Sequence, residues 1–203
     1  MDYLEIPSAH ICCLALGGWV GLPFCIRFPH RARSLLLSGT PGGLIPESIR
    51  RDREKCNELE HKYTGLHESF SHIPSASTLF DHLEDIELAP GFSSRHPEKA
   101  LLWRMLCQTN PPLSLGYDYG KLMYDAAVNP VAARQIRVPT LMVASTQDIS
   151  WSVPALSEIA SMIGPDPGAE VIVVEGAGHS LPFELPDIFN QILGAFLSKV
   201  KNQ

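Results

Sequence analysis

The chain has 203 residues, of which 45% are apolar, and a formal net charge of −6, enough length for one domain with a sizeable core. Acidic and basic residues are mixed through the middle with no basic stripe, which argues against a nucleic-acid partner, and no apolar run reaches the roughly 18 residues that span a bilayer. The five cysteines follow no paired C-x-x-C spacing and read as reduced thiols of a cytoplasmic protein, so no metal, cofactor or membrane association is expected.

The opening Met-Asp-Tyr-Leu-Glu-Ile-Pro lacks the positive and apolar regions of a signal peptide, and none is expected. Residues 1–9 read as the end of a helix and a turn, broken at Pro7 and Ser8. Residues 11–14 are a short apolar run that fits a buried strand, in which Cys12 and Cys13 point to opposite faces. Gly17 and Gly18 follow, and the pattern predicts a helix over 17–28 that stops before Pro29. Residues 32–38 predict a second buried strand, and the Gly-Thr-Pro-Gly-Gly run at 39–43 a loop.

From 44 to 137 the character changes to broken helical patterns with mixed charges. Helices are predicted over 47–61, 75–83, 97–107 and 117–128, separated by prolines near 111 and 130. The charged run 50–60 reads as a solvated face. In the third of these helices, Leu101, Leu102, Met105 and Leu106 form an apolar stripe. The alternating pattern then resumes with strands at 140–144 and 169–174 and helices at 154–163 and 185–200. Strands alternating with helices imply an α/β fold with a mostly parallel sheet of about four strands and flanking helices. In such sheets, chemistry gathers beyond the carboxyl ends of the strands. Ala15, Asp148 and His179 all fall there.

A short strand, a tight turn of small residues and a helix form the context of the G-x-S-x-G nucleophile elbow. With Leu16-Gly-Gly-Trp-Val-Gly-Leu22, Val138-Pro-Thr-Leu-Met-Val-Ala-Ser-Thr-Gln-Asp148 and Gly176-Ala-Gly-His179, the chain resembles the α/β-hydrolase family along essentially its whole length. The resemblance implies a partial α/β-hydrolase fold: a core part at 1–43 carrying the elbow, a helical cap at 44–137, and a core part at 138–203 carrying the acid and histidine loops. Two departures stand out. Ala15 occupies the nucleophile position, where the family has serine. The match also begins at the elbow strand, so only the family's last four parallel strands have counterparts. The early loop that supplies one oxyanion amide has none, which leaves the backbone N–H of Leu16.

Several residues carry competing readings. His179 is a general base or a loop-capping histidine. Asp148 orients it or sits as a carboxylate at a helix start. Cys13, inside the strand, reads as a small core residue. Ser38, Ser145 and Ser180 read as loop hydrogen-bonders before stand-in nucleophiles. Trp19, Trp103 and Tyr117, with Phe92 and Tyr119, line a ligand pocket or simply pack. The expected function is that of a hydrolase-like protein without serine chemistry. If catalytic, it performs cyclisation, elimination or cofactor-free oxygenation on a small apolar metabolite through a His179–Asp148 dyad. The alternative is a non-catalytic small-molecule binder or a truncated, inactive hydrolase homologue. The strand at 11–14 is central in the family, so its bare edge here invites a homodimer.

Overall fold

The computed structural model describes residues 1–45, 87–109, 126–166 and 168–201. Four strands, β1 (Ala9–Leu14), β2 (Ala32–Ser38), β3 (Thr140–Ser145) and β4 (Glu170–Val174), form one sheet in the order β1-β2-β3-β4, every pair parallel. Their residues explain the choice. Each is mostly β-branched, aliphatic or small residues, with His10, Arg33 and Glu170 near the strand starts, and the middle of the sheet is buried on both faces, as a parallel sheet requires. Leu35, Leu36, Leu37, Met142, Val143 and Ala144 are all at or near zero exposure.

Alternation along the strands divides the core into two layers. Leu35, Leu37, Met142 and Ala144 face one side and pack with Leu22 and Cys25 of helix α1 (Gly18–Arg27). Helix α5 (Val153–Ser161) covers the same face through Leu156, Ile159 and Ala160. Leu36, Leu141 and Val143 face the other side, where Phe189 and Phe196 of the closing helix α7 (Pro186–Lys201) cover them. Burying each such side chain contributes about 1.5–3 kcal/mol. Shorter helices complete the described chain: α2 (Phe92–Arg95), α3 (Pro97–Gln108), α4 (Pro130–Ala133) and α6 (Leu181–Glu184). No helix among the described residues is long and apolar enough to cross a membrane.

The expected elements are present with shifted ends. The first strand starts two residues earlier than its apolar run, because Ala9 and His10 pair with Ala32 and Ser34. A 3-10 turn, Ala15–Gly17, separates β1 from α1, where continuous helix is expected from residue 17. The closing helix begins at Pro186, one residue after its expected start, and a separate short helix, Leu181–Glu184, precedes it. Residues 1–9 hold a 3-10 turn, Asp2–Leu4, pinned to the start of β2 by Arg31, which donates to the carbonyls of Ile6 and Pro7 and pairs with Asp2.

Two expectations are corrected. The Leu101, Leu102, Met105 and Leu106 stripe of α3 is 48–56% exposed. The face that packs holds Ala100 and Trp103, because Trp103 finds the Phe183 ring of α6. The end of the helix predicted over 117–128 is not helical: Val128 pairs with Leu44 as an isolated parallel bridge. Of the expected cap at 44–137, residues 46–86 and 110–125, with the helices at 47–61 and 75–83, lie outside the described residues.

Cys12 is exposed and Cys13 buried, as alternation along β1 requires. Cys13 lies under α1 where that helix has Gly21, and a Cβ at Gly21 would overlap the Cys13 sulfur. Burial, and secondarily Cys12, pushes the Cys13 thiol up to about 11, so it stays protonated at neutral pH and packs as a small apolar group. Gly21→Ala is expected to lower stability by about 1–3 kcal/mol despite a helix-propensity gain of about 1 kcal/mol. Cys13→Ala in the same chain should recover most of the loss. Chemical denaturation of the three variants checks both.

Candidate functional site

Four parallel strands end on one edge, and each is followed there by a residue of the site. After β1 the chain enters Ala15 at φ +45°. For a residue with a Cβ this left-handed conformation costs about 1–2 kcal/mol. Leu14 before it is extended, and α1 begins three residues after it at Gly18. The strand therefore turns into a helix through one strained residue, the geometry expected of the elbow. The residue at its apex carries only a methyl group. Leu16, the expected amide donor, follows in the 3-10 turn with its side chain 60% exposed.

After β2 comes Gly39, at φ +57°. Leu14 pairs with Ser38 across β1 and β2, so Ala15 and Gly39 each lie one step beyond the paired ends of neighbouring strands, about 4.8 Å apart as strands. A Cβ at Gly39 would come within 3.2 Å of both Asp148 Oδ2 and His179 Nδ1. Gly39 thus lies against the pair, although in the sequence it reads only as a loop residue. Its glycine neighbours at 42 and 43 mask the signal, since a run of glycines reads as a turn.

The loops after β3 and β4 are joined to each other. The Thr146 N–H donates to the Val174 carbonyl (3.0 Å), Gln147 N–H to the Ala177 carbonyl (3.0 Å), and Gly176 N–H to Thr146 Oγ1 (3.0 Å). This lacing brings Asp148 and His179 together. His179 Nδ1 lies 3.0 Å from Asp148 Oδ2 and 3.1 Å from Oδ1. Asp148 Oδ1 also accepts the backbone N–H groups of Ser150 (2.8 Å) and Trp151 (3.1 Å), which fix the carboxylate at the entry to α5. The two side chains are 7% and 0% exposed.

Burial is the largest single influence on His179 and pulls its imidazole down. The hydrogen bond and charge of Asp148, with the charges of Glu87 and Glu184, outweigh it, and the net shift is upward from 6.5. With Nδ1–H donating to Asp148, the lone pair of the neutral ring is on Nε2; that tautomer follows from the hydrogen-bond partner.

The remaining expected residues divide. Trp103 packs on Phe183, ring centroids 4.9 Å apart, four residues beyond His179. Its indole Nε1 is buried with no hydrogen-bond partner among the described residues. Trp19, half-buried on α1, lies against Gly43, where a Cβ would stand 3.2 Å from its ring. Tyr117 and Tyr119 lie outside the described residues. Phe92 packs with Leu88, Ala89 and Phe183. Ser38 and Ser145 are buried at the ends of β2 and β3, and the Ser180 hydroxyl donates to Glu87 (3.2 Å). Sequence reasoning missed Glu184, which is 2% exposed. A single acid within the apolar run Leu181-Pro-Phe-Glu-Leu-Pro186 is the signal that could have found it.

No family model and no curated protein matches the sequence. Solved structures do match. A meta-cleavage product hydrolase from Pseudomonas fluorescens IP01 is 20% identical, with 98% of this chain and 68% of that one covered and a TM-score of 0.70. A thermophilic esterase from Thermogutta terrifontis is 19% identical over the same shares, with a TM-score of 0.72. The enol-lactonase from Burkholderia xenovorans LB400 is 20% identical over the same shares, with a TM-score of 0.66. The chain has a partial α/β-hydrolase fold, spanning about two thirds of the length of these structures.

Asp148→Asn removes the charge that holds the His179 imidazole up and leaves burial in place. The His179 midpoint, followed by NMR of its ring, is expected to start above 6.5 in the parent chain and to fall in the variant. The sign for stability follows from the raised native value. The pair's contribution is full below the unfolded histidine's midpoint and is lost as pH rises through the native one.

Proposed function

We propose that this α/β-hydrolase-fold chain uses His179 as a general base, oriented and charge-stabilised by Asp148, on a small, largely apolar molecule, with no covalent intermediate. The observation that carries the reading is the hydrogen-bonded pair of His179 and Asp148 at a strand-end edge where the elbow residue, Ala15, has no nucleophilic atom. A methyl group cannot attack a carbonyl, so the chemistry left to the site is proton transfer.

In the proposed step, Nε2 of neutral His179 takes a proton from an acidic C–H or O–H of the substrate. The imidazolium that forms is held by the Asp148 carboxylate, and the substrate anion goes on to eliminate or cyclise, or reacts with dioxygen where that is the co-reactant. Asp148 stays ionised throughout, as the acid of a histidine dyad does. The upward shift of His179 supports this role, since a stabilised imidazolium makes the neutral ring a stronger base. The rings of Trp103, Phe183 and Phe92 support an apolar substrate. The fold neighbours described as a meta-cleavage product hydrolase and an enol-lactonase suggest ring-cleavage products and lactone-like molecules as first compounds to screen.

The purified chain is expected to give no stoichiometric labelling by a fluorophosphonate and no serine-type ester turnover. Labelling at Ser38, Ser145 or Ser180 is the contrary result. With a turned-over substrate, kcat/KM should rise with pH through a midpoint above 6.5, because the base must be unprotonated, and His179→Ala should abolish turnover. If the parent chain and His179→Ala bind the same ligand with no turnover by either, the molecule is a binding protein instead.

The partner we propose beside a small molecule is a second copy. Among the described residues, β1 has a strand neighbour on one side only, and an open edge is a template for another strand. Exposed Leu14 ends β1, and exposed Leu16 and Val20 follow in the 3-10 turn and on α1. Light scattering over a concentration series should show a dimer, with slow hydrogen exchange along β1. A monomer with fast exchange there is the contrary result.

A further inference from the structure

Among the described residues, Glu184 is a nearly fully buried carboxylate outside the His179–Asp148 pair, with a place between two pieces of backbone. One oxygen accepts the N–H of Gly178 (2.9 Å) and the other accepts the N–H of Ala89 (2.9 Å). Gly178 is the residue before His179. The residue after it, Ser180, is tied to the same neighbouring segment: its N–H donates to the Glu87 carbonyl (2.7 Å) and its hydroxyl to the Glu87 carboxylate (3.2 Å). The backbone at Leu88 and Ala89 lies so close on the histidine loop that a Cβ at Gly178 would overlap it.

His179 is therefore clamped on both sides, and each clamp brings a carboxylate that reaches the ring electrostatically, Glu87 ahead of Glu184. We propose that Glu184 is a positioning residue for His179. It fixes the loop through Gly178, locks residues 87–89 onto that loop through Ala89, and adds negative charge that favours the imidazolium. The inference rests on the reading of His179 as the working base. Its geometry, however, can be tested with no substrate at all.

The chemistry favours a carboxylate over any neutral stand-in. Two backbone donors converge on one side chain, and a carboxylate accepts from both. A carboxamide accepts through its oxygen and turns an N–H₂ toward the second donor. Charged acceptors also make the stronger bonds. Burial is the main force on Glu184 and pushes its carboxyl upward from the ordinary carboxylate value. The two N–H groups hold it down in part, Asp148 opposes its ionisation, and Arg95 supports it. His179 faces the same field.

The experiment is hydrogen exchange and ring NMR on the full chain and on Glu184→Gln. Exchange should speed by about ten- to hundredfold in the variant at whichever of the Gly178 and Ala89 amides faces the carboxamide N–H₂, the loss expected of a hydrogen bond to a charged group. The His179 midpoint should fall, because a negative charge has gone. A residue that only helps the chain fold would loosen α6 and α7 broadly and leave the His179 midpoint in place. Unchanged exchange at both amides, or an unmoved His179 midpoint, overturns the proposal. If Glu184→Gln does not fold, the parent chain decides. On acid titration the His179 ring signal should show a second inflection at the midpoint of the Glu184 carboxyl carbon, and its absence overturns the proposal. Because both readouts are free of substrate, a failure to find turnover leaves this result standing, and a failure here leaves the base reading to its own test.

Discussion

Parallel strands cannot turn back directly, so β1, β2, β3 and β4 all end at the same edge of the sheet while helices return the chain across its faces. Ala15, Gly39, Asp148 and His179 are far apart in sequence and sit at that edge for this reason alone. The register makes it specific. Leu14 faces Ser38, Ser38 faces Val143, and Val143 faces Ile172, so the four loop starts are level to within a few residues. A slip of one residue in any pair would exchange the two faces of that strand and move its loop off the site.

Close backbone approach is the second constraint. Gly21 clears Cys13, Gly39 clears the dyad, and Gly178 clears the chain at Leu88 and Ala89. At each place the missing Cβ is what allows two elements to meet. Ala15 is the contrasting case. It has a Cβ, adopts φ +45° all the same, and bears a side chain with no chemistry to offer. The strained turn is set by the surrounding strand and helix, since nothing in a methyl group favours it.

The site is negatively biased. His179 lies within the influence of Asp148, Glu184 and Glu87, and the sum of these charges exceeds the penalty of its own burial. The Asp148 charge also raises the cost of ionising Glu184, so Glu184 and His179 are electrostatically linked while their hydrogen bonds remain separate. Beside the histidine loop, Phe183 packs against Trp103 and Phe92.

Much of this was legible in the residues. Apolar runs bounded by glycine and proline located all four strands, because a strand buried on both faces has a local signature. Their alternation with helices implied the parallel sheet, and that placed Ala15, Asp148 and His179 at one edge. Other features carry no local signature. The stripe of α3 is a true helical periodicity, yet the face that packs is set by where Phe183 lies, and that depends on a loop some eighty residues on. Glu184 reads as an ordinary acid until Gly178 and Ala89 are seen to converge on it, and Gly39 reads as an ordinary turn until the dyad is seen beside it. The sequence by itself determined the elements, their direction and the alanine at position 15, because strand signals are short-range and a single side chain is decided by one codon. The tertiary structure alone decided which charges and which backbone atoms surround His179, because those are contacts between segments that the sheet brings together only once it has formed.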